Sequence, residues 1–331
     1  MRLLVMGGTH FVGRAVVETA LARGDKVTTL NRGTSGAAAP GVNQVTADRT
    51  DPEALRRALG DGEWDAVIDT WSGAPRVIGD SCGLLADRAG HYGYVSSRSV
   101  YRWPMPFGAD EHAPTVDGDP DDDGAEDYAV AKRGGELAVL RAFGDRALFA
   151  RAGLILGPYE NTGRLPWWLR RVERGGRVLA PGDPARPLQL IDARDLALWM
   201  LAAAERGLGG AFNTVSRSGH ATMGGLLEAA VKVVGSDAEL VWTAPEVIEE
   251  AGVSPWIELP IWLPDDAEYG GMHNGDVSAA YGEGLTCRPV QQTIADTWAW
   301  LQAEGDPELR TDRPPVGLDP AKERQVLERP A

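Results

Sequence analysis

The chain is poor in cysteine and lysine, and it has no long apolar run. Its two cysteines, Cys82 and Cys287, stand far apart and outside any Cys-x-x-Cys pattern. Neither a disulfide framework nor a thiolate metal site is expected, and a reducing compartment is the simplest reading. His112, His220 and His273 show no His–carboxylate spacing and read as solvent or capping residues, so no metal is expected. Basic residues are in deficit, with 33 Lys and Arg against 48 Asp and Glu, for a net charge of −15. A chain this acidic lacks the bulk attraction that draws proteins to phosphate backbones or anionic lipid, so nucleic acid and membrane surfaces are not expected partners. The first apolar run, Leu3 to Met6, stops at Gly7, short of the roughly 7–15 residues of a signal-peptide core. No stretch approaches the ~20 apolar residues of a membrane helix. A cytoplasmic protein is expected.

What is present is a rhythm. At ~150 residues per domain, 331 residues make about two domains or one large α/β unit. Short apolar runs at Leu3–Met6, Lys26–Leu30, Val42–Ala47, Ala66–Ile68, His91–Val95 and Ala147–Ala152 read as strands. Helical patterns fall between them at Phe11–Arg23, after Asp51-Pro52-Glu53, and at Tyr128–Phe143. Repeated β-then-α units imply a doubly wound parallel sheet of Rossmann type. Asp110 to Asp127 holds nine carboxylates, two prolines and two glycines, and reads as a solvated loop. From about Gly157 tryptophan becomes frequent. Strands are expected at Leu188–Ile191 and Ala211–Val215. Helices are expected at Asp192–Glu205, Thr222–Val234, Pro289–Ala303 and Pro320–Leu327. The organisation expected is a dinucleotide-binding domain over 1–156, to which 187–215 return. A smaller substrate-binding α/β subdomain over 157–186 and 216–304 and a polar, Pro-rich tail over 305–331 complete it.

Gly7-Gly8-Thr9-His10-Phe11-Val12-Gly13 joins the first strand to the first helix. Gly7 allows a tight turn, the loop offers backbone N–H groups to a pyrophosphate at the helix N-terminus, and Gly13 lets the helix lie close. His10 takes the place of the middle glycine in Gly-x-x-Gly-x-x-Gly. The second strand ends at Asn31-Arg32-Gly33, where the carboxylate that selects a ribose 2′-hydroxyl is missing. Arg32 could pair with a 2′-phosphate, so NADP is the expected cofactor, with NAD, held through Asn31, as the alternative. Asp48, at the end of the third strand, is placed to meet the adenine or to lead into the next helix.

Tyr128 and Lys132 lie four residues apart on one face of a predicted helix. Only four lysines stand against 29 arginines, so a lysine kept at this spacing suggests a task for a compact point charge. A free phenol, with a pKa near ~10, exchanges protons poorly at neutral pH. A neighbouring ammonium stabilises the phenolate and makes Tyr128 a candidate acid/base. The fifth strand runs into Ser96-Ser97-Arg98-Ser99, and hydroxyls at the carboxyl end of a parallel strand point into the crevice where ligands bind.

The glycine turn, Val95-Ser96-Ser97-Arg98-Ser99-Val100-Tyr101, and Tyr128-x-x-x-Lys132 together resemble the extended short-chain dehydrogenase/reductases, and most nearly the NAD-dependent epimerase/dehydratase branch. Arg151 to Pro158 and Gln189 to Ala197 resemble later segments of that family, so the likeness runs over about residues 1–303. Gly-Gly-Thr-x-Phe-x-Gly, with His10, and Asn-Arg-Gly are also similar to an atypical subgroup that includes plastid RNA-binding relatives. The resemblance implies that Ser97 holds the reacting oxygen, Tyr128 moves the proton and Lys132 fixes the nicotinamide ribose and tunes the tyrosine. It implies a cofactor surface of Gly7, Thr9, His10, Phe11, Val12, Gly13, Asn31, Arg32, Asp48, Thr70, Tyr128, Lys132 and Leu154. It also implies a small-molecule substrate and a possible homodimer. Trp71, Trp103 and Trp167 are candidates to stack on that substrate. Diphosphate recognition would draw on Arg164, Arg170, Arg171, Arg177 or Arg186. The activity expected is hydride transfer between nicotinamide and a secondary alcohol or ketone, leaning toward a reductase of a small or secondary metabolite. A nucleotide-sugar epimerase or dehydratase with retained cofactor is the alternative. An RNA-binding or dinucleotide-sensing protein on the same fold is the rival from another class.

Overall fold

A computed structural model describes residues 1–34 and 39–329. Residues 35–38 and 330–331, which fall in the first and last of the expected segments, lie outside the described residues. The chain runs β1 (Arg2–Met6), α1 (Phe11–Ala22), β2 (Lys26–Asn31), β3 (Asn43–Thr46), α2 (Pro52–Leu59), β4 (Trp64–Asp69), α3 (Pro75–Leu85), β5 (Ala89–Ser97), α4 (Tyr128–Phe143), β6 (Ala147–Ala152) and β7 (Leu154–Leu156). It continues through α5 (Arg164–Glu173), β8 (Arg177–Pro181), β9 (Pro187–Leu188), β10 (Leu190–Asp192), α6 (Ala193–Glu205), β11 (Gly210–Thr214), β12 (Ala221–Thr222) and α7 (Met223–Val234). It closes with β13 (Glu239–Thr243), α8 (Pro245–Glu250), α9 (Ser278–Gly282), α10 (Val290–Glu304) and α11 (Pro320–Leu327).

Seven strands form one parallel sheet in the order β11-β6-β5-β4-β1-β2-β3. This is the doubly wound architecture that the alternating pattern predicts. β1 is buried along Leu3 to Met6 because helices cover both faces of the sheet. One core packs α1 and α6 on one face, and another packs α3 and α4 on the opposite face. A third core lies outside the sheet, among α5, α7, α10 and α11.

Helix starts follow the carboxylates. Asp51, Asp127 and Asp319 each accept two backbone N–H groups of the first turn of α2, α4 and α11, and Asp192 accepts one in α6. Asp127 thus ends the acidic run and sets Tyr128 as the first residue of α4. The run itself is docked rather than wholly solvated. Arg76 pairs with Asp123 and Arg141 with Asp121, Glu111 accepts the Asn213 N–H at 2.7 Å, and Gly118 lies against Gly134 of α4. The helix over Pro75–Leu85 has no clear period in the sequence. Two glycines and Ser81 interrupt it, and its buried face is completed by Cys82 and Leu85 under α4. No helix among the described residues is long and apolar enough to cross a membrane.

Candidate active site

At the carboxyl ends of β1, β4 and β5 a cavity of about 380 Å³ opens between the sheet and the C-terminal part. Its wall includes His10, Phe11, Val12, Gly13, Thr70, Ser97, Tyr128, Lys132 and Leu154 from the sequence-selected set. Gly7 and Thr9 lie just outside it. Asn31, Arg32 and Asp48 also fall outside, on the neighbouring strand ends. The Asn31 carboxamide oxygen is taken up by the Gly33 N–H and by Gln44. Asp48 accepts the Thr50 hydroxyl and N–H, which, with Arg32 nearby, hold its carboxyl below its usual range.

The glycine turn is built by close approach. Gly7 and Gly8 have φ of +120° and +102°, a region open to glycine. A Cβ on Gly13 would sit 2.7 Å from the Gly8 backbone nitrogen, so Gly13 lets the first turn of α1 press on the loop rather than on the sheet. The helix has no acidic residue in its first turn, and His10 makes no capping bond. Its first N–H groups and the positive end of its dipole are left for an anion. This cradle fits a dinucleotide diphosphate. Gly13→Ala is expected to destabilise the protein by roughly 1–3 kcal/mol, read as a lower melting temperature, and to weaken cofactor binding in a titration of the same sample.

Lys132 is buried at 3% exposure. Its ammonium donates to the Trp71 carbonyl at 2.6 Å and the Val95 carbonyl at 2.7 Å, and lies 4.5 Å from the Tyr94 ring centre and 6.0 Å from that of Tyr128. Burial lowers its pKa. Burial alone would raise the Tyr128 phenol, but Lys132, then Arg313 and the Ser97 hydroxyl, bring it below its ordinary value. Ser97 accepts the Ser99 N–H and donates to its hydroxyl, both at 3.1 Å, which fixes its side chain at the cavity wall. Serine, phenol and ammonium therefore meet on one surface.

The tryptophans chosen from the sequence do not line this cavity. The Trp71 indole N–H donates to Ala74, and the ring lies under the Arg49 guanidinium. Trp103 is 43% exposed and packs at a tilt against Tyr269. Trp167 packs edge-on against Trp168 in the third core. Each ring is held by a partner that sequence position does not announce. Trp256 lines the cavity instead, under Arg164 at 4.9 Å. Of the arginines considered for diphosphate, only Arg164 lines it. Arg170 and Arg171 pair with Asp306 and Glu323, Arg186 pairs with Asp265, and Arg177 donates to the Leu327 carbonyl.

Two arginines come from the segment expected to be a tail. Residues 306–318 cross from the third core to the loop after β4. They are anchored by Arg170 on Asp306, by the Arg310 N–H on Asn161, by the Gly317 N–H on Ile257, and by buried Leu318. Arg310 donates to Ser72, and Arg313 lies on the Tyr128 ring. Among the described residues that line the cavity there is no Asp or Glu, while Arg164, Lys132, Arg310 and Arg313 face it. On a chain of net charge −15 this is a local reversal of sign.

A family model, NAD dependent epimerase/dehydratase family, matches residues 3–81 and 84–214. No curated protein matches the chain. Among solved structures, the Bordetella bronchiseptica enzyme WbmH in complex with NAD+ is similar at a TM-score of 0.70 and 18% identity, over 92% of this chain and 99% of that one. WbmG from the same organism, in complex with NAD and UDP, gives 0.67 and 16%, over 94% and 97%. UDP-glucose 4-epimerase from Thermotoga maritima, with UDP-glucose, gives 0.68 and 17%, over 92% and 100%. Likeness at this identity concerns the fold.

Proposed function

This chain belongs to the NAD dependent epimerase/dehydratase family, and from that premise we propose that it acts on a nucleoside-diphosphate sugar, with its nicotinamide cofactor retained through the cycle. The observation that carries the proposal is the carboxylate-free cavity in which Arg164, Arg310 and Arg313 stand around Ser97, Tyr128 and Lys132. A small neutral ketone has no use for such a surface, whereas a diphosphate forms charge-assisted hydrogen bonds with it. This favours the nucleotide-sugar alternative over the small-metabolite reductase to which the sequence leans.

NAD, when bound, would supply the reversible hydride acceptor for the substrate carbon. The α1 N-terminus and the Gly7–Gly13 loop would hold its diphosphate, and Lys132, with one ammonium proton not taken by Trp71 or Val95, its ribose. Tyr128, its phenol made more acidic by the cations around it, takes as phenolate the proton of the sugar hydroxyl when the carbonyl forms and returns it on reduction. Ser97, on turning its hydroxyl proton from Ser99 to the substrate, would donate to the same oxygen and keep it beside the phenol. NAD is preferred to NADP because the family is NAD dependent and the similar WbmH and WbmG structures hold NAD.

The test begins with the purified chain, denatured and assayed for nicotinamide. Near-stoichiometric NAD is expected. With UDP-glucose and a panel of other nucleoside-diphosphate sugars as probes, product is expected by NMR without net change in cofactor absorbance. Stoichiometric NADPH consumption with neutral ketones, and none of these sugars turned over, would restore the reductase.

A further inference from the structure

Arg313 is not explained by anion binding alone. Its guanidinium carbon lies 4.5 Å from the centre of the Tyr128 ring. Unlike Arg310, which is paired with Asp312, Arg313 makes no salt bridge among the described residues. The segment that carries it is pinned on both sides, by the Arg310 contacts to Asn161 and Ser72 and by Gly317 and Leu318. Pro314 and Pro315 follow directly and restrict the backbone. The residue is therefore delivered to the phenol by a fixed strap rather than by a free arm.

We propose that Arg313 is a positioning residue for the acid/base: its guanidinium lies over the Tyr128 ring, holds the ring beside Ser97, and brings a second, strap-borne positive charge to the phenol. The proposal rests on Tyr128 as the acid/base. The charged and titratable groups that face the phenol are Lys132 on its own helix, Tyr94 from β5, Arg164 from α5, and Arg310 and Arg313 from the strap. All the charges among them are positive. Lys132 spends two of its ammonium protons on carbonyls and lies farther from the ring, at 6.0 Å. A cation on the ring face stabilises the neutral phenol modestly and the phenolate more. Arg313 thus shares with Lys132 the lowering of the phenol's pKa, and it does so only while the strap is docked.

The experiment follows phenolate absorbance across pH in the full chain, with Tyr128→Phe subtracted to isolate Tyr128, for the native protein, Arg313→Gln and Arg313→Lys. Arg313→Gln is expected to raise the Tyr128 midpoint by about one unit, a tenfold loss of phenolate at a given pH below it. Arg313→Lys keeps the charge but not the broad, delocalised guanidinium over the ring, and an intermediate midpoint is expected. The acidic limb of the pH–rate profile with UDP-glucose, or with whichever panel sugar turns over, where the rate rises as phenolate forms, should move to higher pH in step. An unmoved midpoint in both variants, with far-ultraviolet circular dichroism unchanged, overturns the role of Arg313. Full activity in Tyr128→Phe would instead overturn the acid/base reading, whatever the Arg313 variants show.

Discussion

Replacing Tyr128 by phenylalanine is expected to lower turnover by about 10²- to 10⁴-fold, the usual worth of a positioned acid/base. The ring would keep its packing and its contact with Arg313, so the fold and the cofactor load should survive. The phenol is one helical turn from Lys132, shares the cavity wall with Ser97, and has its pKa brought down by the cations around it. Steady-state rates with a turned-over sugar, alongside bound nicotinamide measured on the same preparation, separate loss of chemistry from loss of binding. A loss below about tenfold would mean that another group moves the proton.

The second large effect lies beneath the site. Asp69, at the end of β4, has no exposed surface, and Arg49 meets it through two hydrogen bonds of 2.8 Å. Tyr92 donates to the same carboxylate at 2.6 Å and the Trp71 N–H at 2.9 Å. Arg49→Met removes one charge and leaves the other buried, which costs about 3–5 kcal/mol. Urea unfolding should show this as a lower midpoint. Because the Trp71 carbonyl anchors the Lys132 ammonium, the variant that still folds should also lose activity. Burial alone would raise the Asp69 carboxyl, but Arg49 and the two further donors hold it below its ordinary value. Its folded pKa is depressed. The stability it contributes is therefore fully present above the unfolded aspartate value near ~4 and is lost as pH falls through the lower folded value. In Arg49→Met that acid-side loss should begin at higher pH. An unfolding midpoint equal to that of the native protein would show that Tyr92 and Trp71 alone suffice for the carboxylate.

The parts legible in the sequence are those that neighbours along the chain decide. The turn from β1 to α1 shows in its glycines, and α4 shows in its period and in Asp127, which caps it one residue before the tyrosine. Tyr128 and Lys132 share a face by helical geometry alone. Arg310 and Arg313 carry no such signal. They sit in a polar, Pro-rich stretch without period, and only the docking of Leu318 and Gly317 far from the sheet brings them to the phenol. The tryptophans fail for the converse reason. Trp71 follows its strand as expected, but an indole turns toward whatever accepts its N–H, and Ala74 does so away from the cavity. At Asn31 and Arg32 the sequence shows a missing carboxylate. It does not show that Asp48, just past β3, spends its carboxylate on the Thr50 hydroxyl and N–H.

The strap also bears on how relatives are told apart. The stretch shared with the family closes at Thr214, whereas Trp256, Arg310 and Arg313 arrive afterwards from the far side of the molecule. Two proteins alike up to that point would share the glycine turn, the tyrosine–lysine pair and Arg164, yet be free to differ in the tryptophan and the two arginines that later segments bring to the cavity. Sorting such proteins by appetite therefore calls for reading their final quarter, which lies beyond the family match.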